Sequence, residues 1–424
     1  SSTTDEPLTF NNTYNVKPVV YDPPVKKNLA ADDGLTPPDI EGKFTFTIAA
    51  KDPEDAPLPE NTVITNSSTY EVSDGLYEFG DIEYTKPGKY TYTVTETGKV
   101  DGITNDTEAS KTVTVEVTDN GDGTLSFKAT DTVDNPVTFT NTYTVKEITA
   151  SFPVTKDLVV PEGLTGPDKW SYTIDVKADK DDTPVAKVMS GTVSNENDTV
   201  TFGEFTYTKP GTYTYTVSET GNIDGVTNDA EAAGKKVTVT VKDNSDGTLT
   251  ATVEPAAGIT FTNTYGTSET TATFPAKKVL KLANEKLSGP SNWEFTFTAT
   301  AADGSPVGDT MSGTVTKDSD TVTFGTFTFT TPGTYTYTVA ESGSVDGVTN
   351  DAESEKTVTI EVVDNGNGTM TAKPTSTEGN PLTFTNTYSV DPTSAVLKVY
   401  KKVYATGSTA EKIIKLNSAK SEEE

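Results

Sequence analysis

The 424-residue chain has no cysteine and no histidine, and none of its 33 basic residues is an arginine. Without thiols there can be no disulfide and no thiolate metal site. Without imidazole there is no Ser-His-Asp triad and no histidine-based proton transfer. Neither a metal nor a cofactor is expected. Basic charge is scarce as well: 33 lysines against 63 acidic residues leave a formal charge of −30. That balance disfavours nucleic acid and anionic membrane surfaces as partners. No run of about 18 apolar residues occurs, so no membrane insertion is expected. Neither a signal peptide nor an anchoring signal is visible, as expected of a segment cut from a longer precursor.

What the chain holds instead is threonine, about a fifth of all residues, together with 18 Tyr and 17 Phe. β-Branched and aromatic side chains suit pleated surfaces, and Ala/Leu/Glu helical runs are missing, so the fold class is all-β. Internal repetition sets the organisation. YTKPGKYTYTVTETGKVDGITND at 84–106 returns as YTKPGTYTYTVSETGNIDGVTND at 207–229 and as FTTPGTYTYTVAESGSVDGVTND at 329–351. Each copy is followed by a Val/Thr strand, a Gly-containing turn (119–124, 243–248, 364–369) and the motif TFTNTY. The period, roughly 120–130 residues, suits tandem Ig-like β-sandwiches rather than solenoid coils. Three repeats are expected at 17–145, 146–267 and 268–390. Residues 1–16 would be the last strand of a preceding repeat, and 391–424 the start of a following one with a polar tail. Only about ten residues lead from each TNTY to the next strand motif, which predicts an elongated, semi-rigid rod, monomeric in solution, whose neighbours are its own repeats.

Strand alternation exposes three misfits. In TFTNTY, Phe261, Asn263 and Tyr265 share one face and the threonines the other, so an Asn sits between two aromatics on the face that should be dry. In YTYTVSE, Glu219 ends the apolar face of Tyr213, Tyr215 and Val217, as Glu96 and Glu341 do in their copies. In PVTKDL, Lys156 shares a face with Val154 and Leu158. In PVKKNL and PAKKVL parity selects Lys27 and Lys278 over their neighbours Lys26 and Lys277. Taken singly, a Lys can snorkel, a Glu at a strand end can be solvated and an Asn can satisfy a turn. Recurrence of all three, in step with the apolar parity, argues against that reading.

A chemical reading uses all three. An apolar site disfavours the ammonium form of Lys, and a neutral amine is a nucleophile. Placed against the Asn carboxamide, it can attack and expel ammonia, leaving an amide between the side chains. A Glu held protonated by burial could bond the carbonyl oxygen, polarise it and relay protons. Folding supplies the orientation that so poor an electrophile needs. The site would turn over once and act on no external substrate, so the chain is not expected to be an enzyme.

These residues resemble the CnaB-like isopeptide domains of Gram-positive pilins and surface adhesins, and in particular the streptococcal pilin isopeptide-linkage (FctA-type) repeat. The resemblance covers nearly the whole chain. It implies crosslinks Lys27–Asn141, Lys156–Asn263 and Lys278–Asn386, assisted by Glu96, Glu219 and Glu341. Asn12 and Lys402 match the motif without partners, since their own repeats are incomplete. It further implies a cell-surface, extracellular stalk whose parent is attached to the cell wall. No sorting signal and no clear pilin-motif lysine is visible, so a stalk within one long surface protein is expected rather than a polymerised pilus. The alternatives are an adhesin region that binds host protein or glycan directly, and the non-catalytic part of a surface enzyme.

The remaining signals read as structure. DNGDGT and its copies lack the twelve-residue loop and closing Glu of a calcium site, and Asn-Gly and Asp-Gly mark tight turns. The DGVTND segments likewise read as loops. The Thr-x-Thr runs repeat with the domain rather than with a short coil, so they are solvent faces of strands and not an ice-binding array. Trp170 and Trp293, matched to Phe44, are read as caps on the core near the Lys–Asn site rather than as sugar platforms.

Overall fold

The computed structural model describes residues 9–399, 401–403 and 412–414. Among them there is no helix, and none long and apolar enough to cross a membrane. The all-β, tandem Ig-like architecture follows directly from the alternation: strand after strand buries every second residue, as in Ile259–Tyr265, where Ile259, Phe261, Asn263 and Tyr265 are buried and the threonines are not. The chain divides into two compact units, one holding the first two sandwiches and one the third together with Glu162–Gly166.

The second sandwich shows the plan. A four-stranded sheet runs in the order Thr199–Tyr207, Ile148–Val159, Ile259–Tyr265, Val226–Thr227. A five-stranded sheet runs Ser190–Ser194, Ser171–Ala178, Gly211–Thr220, Lys235–Asp243, Leu249–Glu254. The first and last strands of the sandwich lie side by side and parallel, with Lys156 opposite Phe261 and Leu158 opposite Asn263. The third sandwich repeats this order, with Lys278 opposite Phe384 and Leu280 opposite Asn386. In the first, Lys27 is opposite Phe139 and Leu29 opposite Asn141.

Two departures have local causes. The first strand of the first sandwich is interrupted between Val19–Tyr21 and Pro24–Ala31, where YDPP brings two adjacent prolines that cannot donate to a ladder. The first strand of the second sandwich starts at Ile148, earlier than the PVTKDL motif, because alternation persists through ITASF. Residues 144–147 alone then join it to Tyr143, fewer than the ten expected.

The tyrosines of YTYT fix each core. Tyr92, Tyr215 and Tyr337 are fully buried and donate their hydroxyls to the carbonyls of Pro57, Pro184 and Pro306 at 2.8–2.9 Å. Burial pushes the Tyr337 phenol up to about 12. In the first two sandwiches a second hydroxyl joins: Tyr84–Tyr92 at 2.9 Å and Tyr207–Tyr215 at 2.8 Å. The third has Phe329 at that place and manages without. Tyr207→Phe should therefore change stability by less than about 1 kcal/mol, whereas Tyr215→Phe, which strips the Pro184 carbonyl of its donor, should cost about 1–3 kcal/mol. Calorimetric melting of the two variants checks the order.

Candidate functional site

The parallel pairing decides where the site forms. Side chains two residues apart along neighbouring strands share a face, so Lys156 and Asn263 point into the same layer of the core. Glu219 reaches them from the facing sheet, where it is paired with Ile174. All three are buried. Gly221, two residues beyond Glu219, has φ near 146°, and a Cβ there would lie 2.7 Å from the Tyr172 ring. The E-x-G sequence thus lets the strand end close over that ring.

The ring is the floor of the site. Lys156 Nζ lies 5.0 Å from the Tyr172 ring centroid, Lys27 Nζ 4.3 Å from that of Phe44, and Lys278 Nζ 4.4 Å from that of Phe295. Phe44 therefore corresponds to Tyr172 and Phe295, and not to Trp170 and Trp293. Those tryptophans stand two residues earlier, partly buried against their cores, with Trp170 6.1 Å from Tyr172.

Each lysine meets its glutamate: Lys27–Glu96 at 2.6 Å, Lys156–Glu219 at 3.3 Å, and Lys278–Glu341 in close contact. Burial pushes all three amines below the ordinary lysine value, against the opposing pull of the glutamates. In the first sandwich Lys27 Nζ and Glu96 Oε1 are close yet out of line for a hydrogen bond, and Glu219 Oε1 has no donor. Such buried polar atoms are costly. Lys156 Nζ also donates to the Phe261 carbonyl at 3.0 Å, two residues before Asn263.

The asparagine is held from both ends. Its carbonyl oxygen accepts a backbone N–H: Asp106 to Asn141 at 2.8 Å, Asp229 to Asn263 at 2.7 Å, Asp351 to Asn386 at 2.8 Å. Its amide nitrogen donates to Glu219 at 2.9 Å and to Asn228 at 3.1 Å in the second sandwich. In the third it donates to Glu341 at 3.4 Å and Asn350 at 3.2 Å, and in the first to Asn105 at 3.5 Å. The expected contact of Glu with the carbonyl oxygen is thus replaced. The backbone N–H holds that oxygen in all three sandwiches, and in the second and third Glu sits at the nitrogen.

The Thr-Asn-Asp loop that supplies these groups escapes the parity argument, because it lies outside the strands. Asp229 carries the loop: its carboxylate accepts the N–H groups of Thr262 and Glu231 and pairs with Lys235 at 2.7 Å. Lys235 in turn donates to the Thr260 carbonyl at 2.7 Å and covers the Phe261 ring. Lys111–Asp106 and Lys356–Asp351 repeat the arrangement. The visible signal was TND itself, unchanged in all three copies.

Asn12 is exposed and outside any strand. Lys402 falls in a short strand, Lys401–Val403, paired with Lys412–Ile414, and its side chain lies outside the described residues. Lys26 and Lys277 are half-buried, the latter 3.4 Å from Asp320. The Asp-Asn-x-Asp/Asn-Gly-Thr segments close hairpins, with Asn120, Asn244 and Asn365 bonded across them to Thr124, Thr248 and Thr369.

The FctA family model, described as a Spy0128-like isopeptide containing domain, matches residues 23–144, 152–266 and 274–389. Among solved structures, the major pilin T-13 of Streptococcus pyogenes is matched at 18% identity over 58% of this chain and 100% of its own, with a TM-score of 0.21. Another Streptococcus pyogenes major pilin is matched at 18% identity over 56% and 98%, with a TM-score of 0.23. The two-repeat B1B2 unit of the collagen binding protein of Staphylococcus aureus is matched at 19% identity over 87% and 75%, with a TM-score of 0.21. At such identities and TM-scores no detail of those proteins transfers to this chain. A comparison with curated proteins found no match.

The Asp229 carboxyl is raised by burial, but its bonds to Lys235, Thr262 and Glu231 outweigh this and hold it at about 2, below the ordinary 3.8. A depressed carboxyl stabilises the fold above its unfolded value and loses that effect as the pH falls through its folded one. The melting-temperature advantage of the wild type over Asp229→Asn should therefore be level above about pH 5 and shrink toward pH 2. A gap that stays constant down to pH 2 would contradict this.

Proposed function

The chain belongs to the family of Spy0128-like isopeptide containing domains, and from that premise we propose that it is a stalk segment of an extracellular surface protein, tied by a self-made Lys–Asn bond in each repeat. The observation that carries the reading is the convergence of a desolvated lysine, a carboxylic acid and a doubly held asparagine inside each sandwich.

The step balances as follows. Lys156 passes a proton to Glu219, and its free amine attacks Cγ of Asn263. The developing charge on Oδ1 is met by the Asp229 N–H, a preorganised donor of the oxyanion-hole kind. Glu219 then delivers that proton to Nδ2, against which it already lies, ammonia departs, and the carboxylate takes back the surplus proton from the new amide nitrogen and ends neutral. Amine plus carboxamide become a secondary amide plus ammonia, with no other reactant. Buried charge is removed in the process, which offsets a desolvation cost of several kcal/mol per ion.

Joining the first and last strands closes a loop of about 110 residues, worth roughly 4–5 kcal/mol by the chain-entropy argument. Mechanically the tie counts for more. Tension entering at the two ends of a repeat passes straight through the bond, so the ladder between those strands carries none of it. A load-bearing, protease-resistant spacer is the function this supports. Direct capture of host protein or glycan is the less favoured reading, since near-identical repeats suit a spacer.

Intact-mass spectrometry should find the protein lighter than its sequence by about 17 Da per bond, one ammonia each, and about 51 Da for three. Glu219→Ala should fold, melt lower and lack only the middle bond, for a deficit of about 34 Da. A wild-type mass equal to that of the unmodified sequence would end the proposal.

A further inference from the structure

The hairpin loop that joins the last two strands of the larger sheet holds a tyrosine from outside its own sandwich in both the first and the second. In the first sandwich, Tyr14 donates its hydroxyl to Asp119 at 3.0 Å and accepts the Gly123 N–H at 3.0 Å. In the second, Tyr143 donates to Asp243 at 2.6 Å and accepts the Gly247 N–H at 3.2 Å. Tyr143 closes the T-N-T-Y motif and Tyr14 its near copy N-N-T-Y, and both loops are copies of Asp-Asn-x-Asp-Gly-Thr. Three residues beyond the tyrosine, the backbone N–H of Lys17 or Lys146 donates to the carbonyl of Gly123 or Gly247, at 2.9 Å each. The same three bonds thus recur at equivalent positions.

The seat made by the second sandwich is built and dry. Tyr143 is fully buried and Asp243 nearly so. The second carboxylate oxygen of Asp243 accepts the Thr36 N–H from the first sandwich at 2.8 Å. Gly247 packs directly on Gly102: a Cβ on either would lie about 2.5–2.6 Å from the other's Cα. Both have positive φ, 82° and 79°, so a side chain is excluded on two counts. Phe in place of Tyr143 would fill the space but leave the Gly247 N–H without its acceptor and Asp243 Oδ1 with the Ser245 N–H alone.

We propose that the Asp-Asn-x-Asp-Gly-Thr loop is a receptor for the closing tyrosine of the preceding repeat, making each repeat a module with a plug at one end and a socket at the other. Its ligand is a T-N-T-Y end of this same repeat type and neither a metal ion nor a host molecule. The plug and socket lie outside the Lys–Glu–Asn site, so the inference holds whether or not that site reacts. Its consequence is a fixed setting between the first and second sandwiches, where only residues 144–147 connect them and free motion would otherwise be the default.

The absence of native cysteine allows a direct test in the full chain. Spin labels on Lys128→Cys and Lys177→Cys, both exposed, report the distance between the two sandwiches by pulsed electron resonance. A narrow distribution is expected, which Tyr143→Phe and Asp243→Ala should each broaden at least about twofold. Tyr388→Phe, which removes the equivalent hydroxyl from the third sandwich, should leave it narrow. Unchanged widths in both socket variants would overturn the proposal, as would equal broadening by Tyr388→Phe. Intact masses of the same samples read the ammonia loss independently, so failure of the crosslink and failure of the joint are told apart.

Discussion

Everything at the site depends on one pairing, the parallel contact between the first and last strands of each sandwich. Its register sets Lys156 beside Phe261 and so, one pleat further, beside Asn263 on the same face. A shift of one residue would turn either side chain to the opposite surface. Only because these strands are neighbours can a glutamate from the facing sheet and the Asn228 and Asp229 groups reach one point. The apolar residues around them hold that register, since any slip would expose Val154 and Phe261 to water.

Each repeat uses lysine twice, and burial separates the two uses. The side chains of Lys27, Lys156 and Lys278 are 0–1% exposed, and their partners are glutamates that are equally dry. The side chains of Lys111, Lys235 and Lys356 are 18–23% exposed and pair with aspartates at the rim. The first set sits where charge is expensive and so inclines to neutrality. The second stays within reach of water and acts as a fixed cation, holding the loop whose N–H grips the asparagine. The same residue type thus serves both at the proposed bond and as scaffold.

Much of this could be read from the sequence because alternation is local. The buried parity of Phe261, Asn263 and Tyr265 needs no tertiary information, nor does the choice of Lys27 over Lys26. The parallel register and the side of the asparagine that Glu219 would meet were beyond such reasoning, since both depend on how two sheets face each other. The Asp229 N–H was equally hidden: a backbone donor leaves no trace in side-chain pattern, and the TND loop looked like any polar turn. The Asp-Asn-Gly turns were legible as turns, but their second use depends on a tyrosine about 100 residues away.

The adjacent lysines at 26–27 and 277–278 carry a consequence for folding fidelity. If the first strand docked one residue out of place in the first or third sandwich, an amine would still stand near the asparagine. In the second sandwich the same error would bring up Thr155, which has no amine to offer. A bond that cannot be reversed preserves whatever alignment existed when it formed. With the proposed bond, two of the three domains would be open to being sealed in error, while the middle one would accept only the correct alignment and leave a mistake free to unravel.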